Sequence, residues 1–271
     1  MKIRICVAGV TGWAGSAVAR GALASGTVEL AAGLALDHVG EDVGTVLGTA
    51  PLGFRVEPGL DAALRTPWDV LVDFTKPDSV KARTRQALAA GRQVVVGTSG
   101  LAAADYAELE AVALAHGSGF IASGNFSITA TLAKHFSLIA ARYLPSWEIV
   151  EYADAGKVDA PSGTVVELAE CLGAIGASKV EVPLERTHGF PATRGAAIGG
   201  TPVHAVRLPG FILSFETLFG LPNERLAIRH DAGNGAEPYV AGVLLAVERA
   251  PGLKGMIRGL DTLMFGTGKE G

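Results

Sequence analysis

Short apolar runs and helical patterns alternate along the first half of the chain. The apolar runs end in polar or glycine-containing turns. We predict strands at residues 3–8, 28–36, 70–74, 93–97 and 119–122, and helices at residues 16–25, 79–90 and 103–116. Strands that alternate with helices are typical of a parallel sheet with crossover helices. This half is therefore predicted to form an α/β fold.

The pattern changes after residue 125. A helical pattern is followed by strand-like stretches with little helix between them, and a last apolar helical pattern comes near the end. We place these elements at residues 128–143, 203–207, 211–219, 226–230 and 239–249. Such an order favours a mixed α+β domain. We expect one domain from residues 1–125 and 240–271, whose last helix packs back onto it, and a second from residues 126–239.

Composition narrows the class of protein. The 271 residues are 49% hydrophobic and 18% charged, which is typical of a folded chain rather than a disordered one. The net charge of -4 and the lack of a Lys/Arg-rich block argue against nucleic-acid binding. No apolar run is long enough for a membrane span or a signal peptide, and the two cysteines, Cys6 and Cys171, suit neither a disulfide framework nor a metal site. We expect a soluble cytoplasmic protein without a bound metal.

A glycine-rich turn separates the first predicted strand from the first helix. It reads Gly9-Val10-Thr11-Gly12-Trp13-Ala14-Gly15. Glycines let a backbone approach a pyrophosphate, and the following helix presents unpaired N–H groups and the positive end of its dipole. The spacing is G-x-x-G-x-x-G rather than G-x-G-x-x-G, so a tight turn without a ligand remains the alternative. We predict a dinucleotide site here that includes Gly9, Thr11, Gly12, Trp13, Ala14 and Gly15.

Polar turns also follow other strands. "DFTKPD" stands at residues 73–78 and "GTSG" at residues 97–100. Ligands of open parallel sheets bind outside the carboxyl ends of the strands, so both turns are expected to line the crevice of the glycine turn. The first acid after the second strand is Asp37, which is either a ligand of the adenosine ribose or a solvated loop acid. His38 beside it could meet a 2′-phosphate, and the choice between NADH and NADPH stays open.

The segment "EYADAGKVDAPSGT", residues 151–164, predicts an anion site in the second half. Lys157 is a compact cation that can steer an anion and, when desolvated, donate a proton. Ser162, Gly163 and Thr164 form a turn at the start of a helix, where backbone N–H groups and two hydroxyls suit a carboxylate. We predict that these four residues bind a small carboxylate substrate.

Seven motifs together resemble the dihydrodipicolinate reductase (4-hydroxy-tetrahydrodipicolinate reductase) family. They are "VAGVTGWAG", "VDFTKPDSV", "VVVGTSGL", "GNFSI", "KVDAPSGT", "GTPVHAVRLPG" and "LFGLPNERLAIRHDA", and they occur in the family's order over nearly the whole chain. The resemblance implies a Rossmann-type cofactor domain and a substrate domain whose sheet also forms a homotetramer. It further implies hydride transfer from NADH or NADPH to a cyclic unsaturated imine dicarboxylate.

The resemblance also assigns site residues. Lys157 matches the family's catalytic lysine, and Ser162, Gly163 and Thr164 match the turn that binds a substrate carboxylate. The residues implied for the pyrophosphate, the nicotinamide and its ribose are Gly9, Gly12, Gly15, Phe74, Thr75, Gly97, Thr98, Asn125 and Phe126. We add Ser99, from the same turn as Thr98, to the cofactor site.

The chain departs from the family's pattern at the expected proton donor. The motif E-x-H-H-x-x-K puts two histidines at Ala153 and Asp154, and of these two residues only Asp154 can carry a proton. A polar segment of the family reads Leu213-Ser214-Phe215 here, and no arginine occurs in residues 231–239, where the family has one that grips the substrate. Trp13 replaces a basic residue often found in the glycine turn. We name Asp154 as a candidate catalytic residue, with Tyr152 and Glu216 as other candidate acids.

Three interpretations follow from these departures. In the first, a divergent paralogue reduces a C=N or conjugated C=C of a small imine or enamine carboxylate that has one acid group and a less polar far end. In the second, the chain is an ordinary reductase of the lysine pathway that tolerates the changes. In the third, it binds a nucleotide without catalysis. We favour the first, because losing a general acid costs about 10²–10⁴-fold in rate, and losing a buried arginine–carboxylate pair costs about 2–5 kcal/mol in addition.

Overall fold

The computed structural model describes residues 1–266 and contains two compact units. The first unit comprises Met1–Ile128 and the described part of Gly235–Gly271, and the second comprises Thr129–Asn234. The boundaries predicted from the sequence lie within a few residues of these bounds, and their assignment to separate cofactor and substrate domains stays a prediction. Within residues 1–266, no helix is long and apolar enough to cross a bilayer.

The first unit is built on a parallel sheet, which over the described residues has seven strands in the order β12-β6-β5-β4-β1-β2-β3. The strands are β1 (Ile3–Ala8), β2 (Val28–Leu34), β3 (Val56–Glu57), β4 (Val70–Asp73), β5 (Gln93–Val96), β6 (Gly119–Ala122) and β12 (Gly255–Arg258). Its helices are α1 (Trp13–Ala24), α2 (Val43–Val46), α3 (Leu60–Ala63), α4 (Pro77–Ala89), α5 (Ala103–Ala115), α8 (Glu237–Arg249) and α9 (Leu260–Phe265). The predicted Rossmann-type α/β fold is confirmed.

Both faces of this sheet are buried, which explains the continuous apolar runs of its strands. On one face, Ile5 and Val7 of β1 pack in a cluster with residues of α1 and α8. On the other face, Cys6 packs with residues of α4 and α5. Strand β1 pairs with β2 on one side and β4 on the other, so the strand order reverses there. The turns after β1, β2, β4, β5 and β6 consequently meet at one edge.

The second unit is a mixed sheet with helices on one face. Within Thr129–Asn234 it has five strands in the order β11-β10-β7-β9-β8, and β7 and β9 are the parallel neighbours. The elements are α6 (Ile128–Ala141), β7 (Ser146–Ala153), α7 (Gly163–Ile175), β8 (Ala196–Ile198), β9 (Thr201–Arg207), β10 (Leu213–Leu221) and β11 (Glu224–Ala232). Residues of α6 and α7 pack on the face that carries Trp147, Ile149 and Phe215.

The central strand β7 was not among the strands predicted from the sequence. Its residues alternate between buried and half-buried positions, as a strand covered on one face requires. One of the inward positions is Glu151, which is fully buried. A charged residue at an inward position obscures the period of two that would reveal the strand.

Candidate functional site

The glycine turn after β1 is packed so tightly that two of its glycines leave no room for a side chain. Gly9 has a φ of +81°, and a Cβ there would overlap the carbonyl oxygen of Phe74. A Cβ at Gly15 would overlap the carbonyl oxygen of Gly9, whereas a Cβ at Gly12 would lie 3.2 Å from that oxygen. The Gly12 N–H donates to the same oxygen at 2.9 Å. Gly9 and Gly15 therefore bring the end of β1, the turn and α1 into close contact.

The N-terminus of α1 is open to an anion. Gly12 is the N-cap and provides no side-chain cap, and the first turn of this 12-residue helix contains no acidic residue. The first N–H groups of a helix lack intrahelical partners and carry the positive end of the dipole. The tight glycine turn and the uncapped N-terminus of α1 together suit the pyrophosphate of a dinucleotide.

Trp13 and Ala14 begin this helix, which starts three residues earlier than the sequence predicted because the last glycine of the turn, Gly15, is already helical. Trp13 is 61% exposed, and its ring contacts the ring of Tyr239 edge-on with centroids 5.8 Å apart. An exposed indole held against a second ring offers a flat surface to a nucleobase. The predicted part of Trp13 in the cofactor site stays a prediction.

Asp37 lies beside the glycine turn. The Thr11 hydroxyl donates to Oδ1 of Asp37 at 2.6 Å, and this hydrogen bond is the main cause of the lowered pKa of Asp37. Two residues of the predicted cofactor site are thus brought together. His38 next to it has its Nδ1 3.0 Å from Oε1 of Glu41.

A buried carboxylate organises the turns after β4 and β5. Asp73 is fully buried, and its carboxylate accepts hydrogen bonds from the hydroxyls of Thr75 at 2.7 Å and Thr98 at 2.9 Å. The Arg83 guanidinium completes the cluster at 2.7 Å from the Asp73 carboxylate. Thr75 and Thr98 were predicted as cofactor residues, whereas Asp73 was only part of a quoted turn and Arg83 was missed. An acid that ends an apolar strand is a signal for Asp73, but nothing in the sequence pairs it with Arg83.

Aromatic residues lie at the same edge of the first sheet as the turns after β4 and β5. A Cβ at Gly97 would overlap the ring of Phe74, so this glycine makes room for that ring. Phe74 contacts the ring of Phe126, which is buried, with centroids 6.0 Å apart. Asn125 accepts a hydrogen bond from the Ser127 N–H at 2.8 Å, while Ser99 is exposed. The structure thus brings Phe74, Gly97 and Phe126 together.

In the second unit, Lys157 lies in the loop after β7. Its ammonium is 2.6 Å from Oδ1 of Asp159, and its side chain is 29% exposed. This contact is the main cause of the lowered pKa of Asp159. Asp154 is exposed, and its Oδ1 accepts a hydrogen bond from the Gly156 N–H at 2.8 Å. Through this contact the Asp154 carboxylate helps to shape the turn. A catalytic role for Asp154 stays a prediction.

The loop leads into the N-terminus of the 13-residue helix α7. Ser162 is its N-cap and is 3% exposed, yet the Ser162 Oγ has no hydrogen-bond partner among the described residues. Gly163 and Thr164 form the start of the helix, and its first turn contains no acidic residue. A buried hydroxyl is normally hydrogen-bonded, so an unpartnered one at a positive helix end suits an anionic ligand.

A buried ion pair holds this loop on the sheet, and sequence reasoning missed it. Arg207 is 2.6 Å from Glu151 Oε2 and also donates to the Asp159 carbonyl oxygen at 2.7 Å. Oε1 of Glu151 accepts a hydrogen bond from the Ser162 N–H at 2.8 Å. The pair therefore fixes both ends of the segment from Asp159 to Ser162.

The position where the family motif has its first histidine is apolar and closed. Ala153 is fully buried and pairs with Leu213 of β10 and Arg207 of β9. Phe215, two residues after Leu213, is 3% exposed and packs on the ring of His230 with centroids 5.5 Å apart. Burial lowers the pKa of His230. Ala153 is thus a closed position between the apolar Leu213 and the charged Arg207, and it offers no proton donor of its own.

Tyr152 and Glu216 lie on the opposite face of this sheet from the helices. The Tyr152 hydroxyl donates to Glu216 at 2.6 Å, and this bond is the main cause of the raised pKa of Tyr152. Arg229 lies over the Tyr152 ring, 5.0 Å from its centroid. A raised pKa makes the phenol a weaker acid, and alternation along β7 places it on the other side from Ala153.

Comparisons with known proteins point to one family along nearly the whole chain. Family models described as "Dihydrodipicolinate reductase, N-terminus" and "Dihydrodipicolinate reductase, C-terminus" match residues 3–126 and 126–263. The 4-hydroxy-tetrahydrodipicolinate reductase of Desulfitobacterium hafniense is 37% identical, covering 97% of this chain and 99% of the relative. That of Moorella thermoacetica is 34% identical, with coverage of 97% and 98%.

Solved structures include one of the same family and others that share the fold. A dipicolinate-bound dihydrodipicolinate reductase from Paenisporosarcina sp. TG-14 has a TM-score of 0.85 and 28% identity, covering 97% of this chain and 99% of that one. An amine dehydrogenase from Mycobacterium smegmatis, with a TM-score of 0.67, 16% identity and 96% coverage of both chains, shares the fold. The chain belongs to the dihydrodipicolinate reductase family and is an NAD(P)H-dependent oxidoreductase.

Proposed function

We propose that the chain reduces the C=N bond, or a C=C bond conjugated with it, of a small cyclic imine or enamine that carries one carboxylate. The observation that carries this proposal is the buried, unpartnered Ser162 hydroxyl at the N-terminus of α7, with Lys157 in the preceding loop. This is one well-formed carboxylate site. The substrate's other end is proposed to be less polar and to lie near the partly exposed Leu213, since Ala153 and Phe215 are buried.

In this proposal the two units divide the work. NADH or NADPH supplies the hydride, and the residues proposed to hold it are those of the glycine turn, Asp37 and the edge formed by Phe74, Thr75, Gly97, Thr98, Ser99, Asn125 and Phe126. Lys157 is proposed to leave Asp159 for the substrate, bind its carboxylate and donate the proton that completes the reduction. The Ser162 hydroxyl, together with Gly163 and Thr164 at the helix start, is proposed to hold the carboxylate, while the Ser162 N–H keeps its bond to Glu151.

A second candidate is 4-hydroxy-tetrahydrodipicolinate reductase of lysine and diaminopimelate biosynthesis. The relatives that carry this name, at 34–37% identity over nearly the full length, favour it. It requires that a dicarboxylate be reduced without the histidine at Ala153 and without an arginine in residues 231–239. A non-catalytic nucleotide-binding protein, the third interpretation, has no comparable support.

The proposal extends to the oligomeric state and the cellular location of the protein. The face of the second sheet opposite its helices carries charged side chains such as Glu216 and Arg229 as well as apolar ones such as Leu218, which is 38% exposed. We propose a cytoplasmic homotetramer, as the resemblance implies.

The decisive experiment measures oxidation of NADH and NADPH with two kinds of substrate. One is enzymatically generated 4-hydroxy-tetrahydrodipicolinate, and the other is a set of five- and six-membered cyclic imines with one carboxylate. We expect kcat/KM to be at least about tenfold higher with a monocarboxylate imine, because its far end leaves no charge unpaired. Turnover of the dicarboxylate at about 10 s⁻¹ with no preference for a monocarboxylate would establish the second candidate instead.

Two lysine variants control this assay. Lys157→Ala is expected to lower kcat/KM by about 10²–10⁴-fold, since it removes both an anion partner and a proton donor. Lys179→Ala is the matched control, because Lys179 is an exposed lysine of the same unit that pairs with Glu181 at 3.1 Å. Equal activity of both variants would contradict the role of Lys157.

The variant Asp154→Asn separates a catalytic role of Asp154 from a structural one. Asparagine keeps the oxygen that accepts from the Gly156 N–H but cannot act as a carboxylic acid. We expect kcat to change by less than about tenfold, because the observed contact needs only an acceptor. A loss of about 10²-fold or more at an unchanged melting temperature would assign proton donation to Asp154.

A further inference from the structure

We infer that Asp73 is a positioning residue of the cofactor site, because it fixes the hydroxyls of Thr75 and Thr98 as hydrogen-bond acceptors towards a ligand. The inference rests on the cofactor site of the proposed function, and it adds which groups of the ligand this edge of the sheet can bind. Asp73 is fully buried at the end of β4. It therefore acts through the two threonines, which are partly exposed in the turns after β4 and β5.

Each threonine hydroxyl has one hydrogen, and both hydrogens are directed at Asp73. The hydroxyls of Thr75 and Thr98 donate to its Oδ1 at 2.7 and 2.9 Å. The Thr98 hydroxyl also lies 3.2 Å from the Asp73 carbonyl oxygen, which is another acceptor. Oδ2 of Asp73 accepts from Arg83 at 2.7 Å, and this ion pair holds the carboxylate in place. A carboxylate in an ion pair only accepts hydrogen bonds, so neither hydroxyl can turn its hydrogen towards a ligand without losing this contact.

One lone pair on each hydroxyl is left for a ligand, since a hydroxyl oxygen has two. On Thr98 the other lone pair accepts from the Thr75 N–H at 2.7 Å, and on Thr75 it accepts from Arg83 at 2.7 Å. The Ser79 hydroxyl is 3.5 Å from that of Thr75, which is longer than an ordinary O–H···O bond. The two threonines thus suit O–H and N–H groups of a ligand and disfavour phosphate or carboxylate oxygens.

These two acceptors adjoin the glycine turn. A Cβ at Gly9 would lie 3.3 Å from Cγ2 of Thr75, so the turns after β1 and β4 are in contact. Strands β4 and β5 lie on the other side of β1 from β2. A dinucleotide whose pyrophosphate binds at the glycine turn extends its adenosine towards β2 and its nicotinamide ribose towards β4 and β5. The 2′- and 3′-hydroxyls of that ribose are the donors that Thr75 and Thr98 can accept.

The test measures the binding of ADP and of ADP-ribose by calorimetry, without substrate. Both ligands contain the adenosine and the pyrophosphate, and only ADP-ribose has the second ribose. We expect the unaltered protein to bind ADP-ribose at least about tenfold more tightly, because two hydrogen bonds of ordinary strength account for such a ratio. The ratio of the two dissociation constants is then compared between variants, since the extra charge on the terminal phosphate of ADP is the same for all of them.

Asp73→Asn is expected to bring the two dissociation constants within about threefold of each other while ADP binding stays unchanged. Asparagine has one oxygen where the carboxylate has two, so it cannot serve Arg83 and both threonines at once. Thr98→Val is expected to lower the ratio at least about threefold, whereas Thr98→Ser keeps the hydroxyl and the ratio. Asp69→Asn is the matched control, because Asp69 is an exposed acid just before β4 whose carboxylate accepts from the Arg4 N–H at 2.8 Å.

A ratio that neither Asp73→Asn nor Thr98→Val changes overturns the inference and leaves the cofactor site in place. So does an equal loss of ADP and ADP-ribose affinity in Asp73→Asn, which would restrict Asp73 to a role in folding. Where Asp73→Asn fails to fold, equal ratios for Thr98→Val and Thr98→Ser overturn the inference. Failure of the unaltered protein to bind ADP-ribose, NADH and NADPH overturns it together with the proposed function, whereas binding without turnover contradicts only the proposed substrate.

Discussion

Replacing Arg207 with alanine is expected to lower the free energy of unfolding by about 3–5 kcal/mol. The reason is the burial of its partner: Glu151 is fully buried, and without the guanidinium its carboxylate would keep a charge in the interior with the Ser162 N–H as its one donor within residues 1–266. A buried carboxylate without a cation is far more costly than the ion pair is stabilising. Denaturant unfolding followed by circular dichroism measures the loss.

The chain offers a matched control for this variant. Arg194 also pairs with a glutamate, Glu148, but both side chains are substantially exposed, at 43% and 32%. Arg194→Ala should therefore cost no more than about 1 kcal/mol. The double variant Glu151→Gln with Arg207→Met should be more stable than Arg207→Ala, because it leaves no buried charge unpaired. Similar losses for Arg207→Ala and Arg194→Ala would show that burial of the pair does not matter.

Replacing Gly15 with alanine is expected to abolish measurable NADH binding and to destabilise the first unit. A Cβ at this position would overlap the Gly9 carbonyl oxygen, which is backbone and cannot rotate away. The turn would have to open, and the first N–H groups of α1 would move away from the pyrophosphate. We expect affinity to fall by at least about 10²-fold, because two or more hydrogen bonds to a charged group, each worth about 1.5–3 kcal/mol, would be lost.

Two other glycines make this a graded test. A Cβ at Gly12 would lie 3.2 Å from the same oxygen, so Gly12→Ala should weaken NADH binding less than Gly15→Ala does. Gly26 has nothing within 4 Å of a Cβ, and Gly26→Ala should bind NADH normally. Calorimetric titration of the three variants gives the order directly. Normal binding by Gly15→Ala would contradict the assignment of this turn to the cofactor.

The first unit could be predicted from the sequence because its strands are apolar on both faces and its turns contain glycine. The turn from Gly9 to Gly15 follows a strand and precedes a helix, which is the context in which such glycine spacing predicts a phosphate site. The second unit was harder to predict, since β7 carries the buried Glu151 among its inward positions. Partners that are far apart in sequence, such as Glu151 with Arg207 or Asp73 with Arg83, leave no local pattern, and only the fold joins them.

The two units of this chain are not synthesised one after the other, because the first unit consists of two segments that flank the second. The first unit needs α8, whose Val240 fills the space beside Gly21 of α1, and β12, which pairs with β6. Both elements emerge from the ribosome after the whole of Thr129–Asn234. The continuous second unit can therefore complete its sheet while the apolar face of α1 still lacks its cover, so the earlier part of the chain exposes apolar surface for longest during synthesis.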